Sequence, residues 1–119
     1  MLRIIYATAT LLGIPTSMTD VVLGSPQLMD TTFYADRLQG RLTANHTPYN
    51  PNDLMAAAAD WPFGTQLLVT YGFRSVIVTV QDRPDHKTQL DLSRRAFKEL
   101  APLSLGRIQT TVRVVCYPR

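Results

Sequence analysis

Between Val76 and Val80 the chain alternates Val, Ile, Val, Thr, Val, then runs through Gln81 into Asp82 and Arg83. β-Branched side chains suit a pleated, half-buried surface, and successive residues of a strand point to opposite faces. The pattern predicts a strand with Val76, Val78 and Val80 toward a core and Ile77, Thr79, Gln81 and Arg83 facing away. By the same period Asp82 falls on the Val80 side, at the core's edge, and Arg83 is not its side-chain partner. Residues Gln66 to Thr70 form a second apolar run, and Tyr71-Gly72-Phe73-Arg74 is short enough to join the two as an antiparallel hairpin.

The remaining pattern is read the same way. A β-prone run from Thr31 to Asp36 predicts a first strand, Leu90 to Leu92 a brief one, and Ile108 to Tyr117 a closing one after a turn at Gly106. Two segments read as helical. Asp53 can cap one or two turns built from Leu54, Met55 and the four alanines Ala56 to Ala59. Ser93 can cap a helix from Arg94 to about Leu100 that carries Ala96, Phe97 and Leu100 on one face and is stopped by Pro102. Residues 43–52 are dense in turn formers and predict a surface loop, the kind of segment on which binding residues concentrate. Within it, Asn45-His46-Thr47 is formally a glycosylation acceptor, relevant only in a eukaryotic secretory pathway.

Length and composition narrow the class. At 119 residues, 45% hydrophobic and 18% charged, the chain has room for one domain with one modest core, and its prolines, glycines and β-formers favour short strands over a helical bundle. A net charge of +3 is scattered, with no basic run longer than Arg94-Arg95, so a nucleic-acid partner is not expected. A weak preference for a polyanionic surface such as a cell wall is. The single cysteine, Cys116, excludes an intrachain disulfide and a cysteine zinc site, and its position in phase with Val112 and Val114 predicts a buried thiol. His46 and His86 are far apart and give no metal signal, and no cofactor is expected.

The N-terminus differs from the rest. Met1-Leu2-Arg3 is a short positive start, and Ile4 to Ile14 is uncharged but too short to span a bilayer. Residues 1–24 therefore read as a secretory signal or an N-terminal extension, with Val22-Leu23-Gly24 before Ser25 as a cleavage site. No lipobox cysteine follows, so no stable membrane anchor is expected. The folded domain is placed at 31–117, secreted or periplasmic, and expected to be a monomer.

Four blocks in series carry a resemblance: Phe33 to Ala44, Pro62-Phe63-Gly64-Thr65, Val78 to Arg83, and Leu90-Asp91-Leu92-Ser93. Together they resemble the rare lipoprotein A-like family, related in fold to the N-terminal domain of expansins. The resemblance implies an all-β fold, a six-stranded double-psi β-barrel with one or two short helices and a glycan-binding groove. In active members it implies endolytic transglycosylase action on peptidoglycan. Of the three functional side chains carried by such members, the Asp corresponds to Asp82; the Glu position reads Thr47 and the His position reads Ala58. The Gly-Pro that follows the family's Asp-Arg is replaced by Pro84-Asp85.

Lytic cleavage asks one carboxyl group to protonate the glycosidic oxygen and then to take the proton of the sugar's own C6 hydroxyl. Asp82, partly desolvated at a core edge, is the candidate. Its alternative role is structural, accepting loop N–H groups at a strand end. Asp91 and Ser93 are expected to be structural near the site, Asp91 through the free N–H groups and dipole of the following helix. Asp85 and His86 could substitute for the missing partners or be solvated loop residues. Tyr34, Tyr49, Trp61 and Tyr71 offer ring faces to sugars, and Thr47 and Arg83 complete the candidate glycan contacts. The partner expected is peptidoglycan or another wall glycan, held with or without cleavage; a bland alternative is a protein partner.

Overall fold

The computed structural model describes residues 24–85 and 89–118. The expected signal segment, apart from Gly24, and His86 lie outside the described residues. Six strands, β1 (Gln27–Phe33), β2 (Met55–Ala57), β3 (Gln66–Tyr71), β4 (Arg74–Asp82), β5 (Gln89–Leu92) and β6 (Ile108–Cys116), close into a barrel in the order β1-β5-β2-β4-β3-β6. Two neighbouring pairs, β1–β5 and β2–β4, are parallel, and the other four are antiparallel. The one α-helix among the described residues, α1 (Arg94–Leu100), packs on β4, β1 and β5. No helix among them is long and apolar enough to cross a membrane.

Val76, Val78 and Val80 of β4 face the core as the alternation predicts, and they meet Leu67 and Val69 from β3, Leu90 and Leu92 from β5, and Ile108 and Val112 from β6. Each fully buried side chain of this size contributes about 1.5–3 kcal/mol relative to exposure. The β3–β4 hairpin turns through Gly72-Phe73, and Gly72 has φ 62°. A positive φ at the first turn position suits a right-twisted ribbon, and glycine meets it without steric cost. Ser93 caps α1 by accepting from the Ala96 N–H at 3.3 Å, and Ala96, Phe97 and Leu100 face the core, with Phe97 tilted against Phe33 at 4.7 Å between ring centroids.

Three expectations are corrected. The first strand begins at Gln27 rather than Thr31 and ends at Phe33. The alanine-rich segment is strand β2, not a helix, and Met55, Ala56, Ala57 and Ala58 are at most 1% exposed. β2 lies between β5 and β4, where both of its edges are paired and all of its side chains are buried; this pairing and burial outweigh alanine's weak intrinsic preference for helix. Cys116 is exposed because the alternation breaks before it: Leu67 pairs with Val114 but Gln66 with Cys116, so Val115 is an extra residue and Cys116 leaves the row of buried Val112 to stand opposite exposed Gln66.

Candidate functional site

The site grows from a break in register. Ala56 pairs with Val80 but Ala57 pairs with Asp82, so β4 carries one extra residue, Gln81, against β2. Such a bulge re-aims the side chain that follows it. Strict alternation would leave Asp82 in the Val80 row; the bulge instead sets it opposite Ala57. Ala57 in turn pairs with Asp91 on β5, and Asp91 with Thr32 on β1. Thr32, Asp91, Ala57 and Asp82 thus form one row across four adjacent strands. With neighbouring strands ~4.8 Å apart, the backbones of the two acids stand about 10 Å from each other.

Asp82 is half-buried, and both its oxygens accept hydrogen bonds. Oδ2 accepts from the Tyr34 hydroxyl at 2.6 Å, and Oδ1 from the N–H groups of Ala44 and Arg83, each at 2.8 Å. Tyr34 follows β1 and Asp82 ends β4, so this bond ties the ends of the two strands together. Its ring stacks on Tyr49 with centroids 4.4 Å apart at 17°. The Tyr49 hydroxyl accepts the Arg94 backbone N–H at 3.2 Å, and the Arg94 guanidinium pairs with the Asp36 carboxylate. Burial, then the hydrogen bond to Asp82 and the charges of Asp82 and Asp91, push the Tyr34 phenol far above its ordinary range, so it stays a donor. Burial raises the Tyr49 phenol as well, with the Arg94 N–H pulling it back.

A cleft of about 520 Å³ opens over this row. Thr32, Tyr34, Asp82 and Asp91 line it from the sheet; segment 35–43 adds Arg37 and Arg41, and segment 83–85 adds Asp85. Among the described residues no group of three or more His, Cys, Asp or Glu is placed to hold a metal ion.

The structure separates the sequence candidates. Tyr34, Tyr49, Asp82, Arg83, Asp85 and Asp91 all line the cleft. Asp91 does not serve the α1 N-terminus as expected. Its Oδ1 accepts from the Thr32 hydroxyl and from the Gln89 amide at 2.9 Å, because the period of β5 turns it away from buried Leu90 and Leu92. Ser93 is structural: fully buried, it donates to the Asp53 carbonyl at 2.5 Å besides capping α1. Tyr49 is only 3% exposed, so it backs Tyr34 instead of offering a ring face to a sugar. The Arg83 guanidinium donates to the carbonyls of Ala58 (2.7 Å) and Trp61 (2.9 Å) and lies 3.9 Å from the Phe63 ring centroid, bracing segment 58–63. Trp61 packs against the core and Tyr71 sits at the hairpin end, and neither lines the cleft. The Thr47 hydroxyl donates to Asn45 Oδ1 at 2.7 Å, inside its own loop.

Sequence reasoning missed Thr32, Gln89, Arg37 and Arg41 as cleft residues. A period-2 signal was available for the first two, which lie two positions from Tyr34 and Asp91.

The family model described as lytic transglycolase matches residues 27–113. An uncharacterized protein of Synechocystis is 39% identical over 83 residues, covering 68% of this chain and 90% of its own. A papain inhibitor of Streptomyces mobaraensis is 30% identical over 127 aligned positions, 87% of each chain. The endolytic peptidoglycan transglycosylase RlpA of Haemophilus influenzae is 33% identical over 88 residues, 71% of this chain but 31% of that protein. Among solved structures, a Streptomyces papain inhibitor superposes with a TM-score of 0.67 at 28% identity, covering 79% of this chain and 97% of its own. An expansin of Clavibacter michiganensis gives 0.64 at 26% identity, covering 80% and 52%.

Proposed function

Because the chain belongs to the lytic transglycolase family of RlpA-like double-psi β-barrels, fold relatives of expansins, we propose that it is an exported protein that engages cell-wall glycan, peptidoglycan, in the cleft beside Asp82. The observation that carries this reading is the re-aimed Asp82. A bulge turns its carboxyl to an open polar cleft and three donors fix its oxygens, while Asp91 stands in the same row.

The reaction open to such a site is lytic cleavage. A protonated Asp82 gives its proton to the glycosidic oxygen as the C1–O bond breaks. The resulting carboxylate then takes the proton of the C6 hydroxyl, whose oxygen attacks C1 and closes an anhydro ring. Tyr34 adapts to both states: its hydroxyl accepts from a protonated Oδ2 and donates to a charged one.

A second reading, binding without cleavage, is favoured by the two family positions that differ. Ala58 is fully buried and presents nothing to the cleft, and Thr47 is occupied by Asn45.

The test is digestion of purified peptidoglycan, with and without stem peptides, by wild type and Asp82→Asn, read by mass spectrometry for anhydro-sugar ends. Ends formed by wild type and lost in the variant establish the enzyme. No ends, with co-sedimentation on sacculi, establish the binder; if neither cleavage nor co-sedimentation occurs, the glycan reading is dropped. The match to a papain inhibitor over most of both chains adds one arm, papain activity under titration, and inhibition without glycan binding would replace this reading. Export is tested by the mature N-terminus, expected near Ser25.

A further inference from the structure

Positive charge in the cleft is concentrated and unused. Arg37 and Arg41 lie four residues apart on the segment around the Asp36–Leu38 turn, and both are exposed and line the cleft. Neither guanidinium makes a hydrogen bond or ion pair among the described residues, and the carboxylates nearby are largely engaged. Asp36 pairs with Arg94, Asp82 accepts from three donors, and Asp91 accepts from Thr32 and Gln89. Asp85, the remaining acid of the cleft, is paired with neither arginine. The third arginine there, Arg83, is spent on carbonyls and on the Phe63 ring.

A guanidinium is a planar fork whose geometry matches carboxylate and phosphate, and two free ones beside a closed set of acids favour an anion that the ligand brings. Resting on the reading that the cleft holds wall glycan, we infer that Arg37 and Arg41 form a subsite for an anionic substituent of the strand, a carboxylate or a phosphate. The pair selects charged wall polymers over neutral glucans. The strand itself lies along the sheet row, and its anionic branch leans to segment 35–43.

The experiment compares four soluble probes: peptide-free peptidoglycan strands with free lactyl carboxylates, the same strands with those carboxylates amidated by methylamine, amidated strands carrying wall phosphate polymer, and a neutral glucan oligomer. Wild type is expected to bind the carboxylate strand roughly tenfold tighter than the amidated one, about the effect of one charge-assisted hydrogen bond. Arg37→Gln/Arg41→Gln should bind both at the level of the amidated strand, with unchanged thermal stability, whereas Arg37→Lys/Arg41→Lys should keep part of the preference. A preference restored only by the phosphate-bearing probe, and lost in the Gln variant, identifies phosphate as the anion. Equal binding of all four probes by wild type, or a preference that survives in the Gln variant, overturns the subsite while leaving glycan binding intact. Wild type that binds none of the probes overturns both.

Discussion

Tyr34 is the residue on which the site turns. It joins β1 to β4 through Asp82 and rests on a buried Tyr49, and neither contact was foreseeable from spacing, since Tyr34 and Asp82 are 48 residues apart. Burial and the Asp82 carboxylate hold the phenol far above its ordinary value of 10.0, so above that pH the folded protein keeps a proton that the unfolded chain releases. The stability it contributes is fully present below about pH 10 and is lost as pH rises further. Tyr34→Phe is expected to cost about 0.5–1.5 kcal/mol at neutral pH. Urea titrations should show its stability falling less steeply than wild type from about pH 10 to about 12. Parallel curves across that range would sink this account of Tyr34. Asp82 itself was legible as a strand-end carboxylate, but its aim was not: alternation sets it beside Val80, and only the extra residue Gln81 in the pairing with β2 turns it into the cleft.

At the scale of elements, strands with a long period-2 signal were read correctly and the alanine-rich segment was not. β4 has three inward positions in strict alternation, Val76, Val78 and Val80, enough for the pattern to specify itself. β2 has three residues and no pattern, because all of them are buried between paired neighbours. Its local chemistry favours helix, and the barrel overrides it. The α1 cap was legible because it is local: Ser93 and Ala96 are three residues apart. What Ser93 does besides capping depends on distant chain, since its hydroxyl also donates to Asp53 and its N–H to the Met55 carbonyl. Ser93→Ala removes the cap and leaves the Asp53 carbonyl without its partner. A loss of about 1–3 kcal/mol is expected, read as a fall in Tm. A Tm within a degree or so of wild type would show that water replaces the hydroxyl at no cost.

For the whole molecule, barrel closure sets which ends of strands reach solvent. Cys116 shows what pairing adds to this: the extra residue Val115 on β6 sets it opposite exposed Gln66 and out of the row of buried Val112. In native buffer it should react fully with a thiol reagent without denaturant, and a reaction that waits for unfolding would contradict its exposure. Sequence by itself determined the class, the hairpin, the α1 cap, the inward row of β4, and the presence of an acid at the end of β4. These depend on neighbours within a few residues, where period, turn chemistry and capping act. Tertiary structure decided that Asp82 and Asp91 share a row, that Tyr34 bonds the first and Thr32 the second, and that Arg83 braces a loop while Arg37 and Arg41 stay free. Those facts follow from strand register and one bulge, which are set by pairing between segments far apart in the chain and leave no mark in the local pattern.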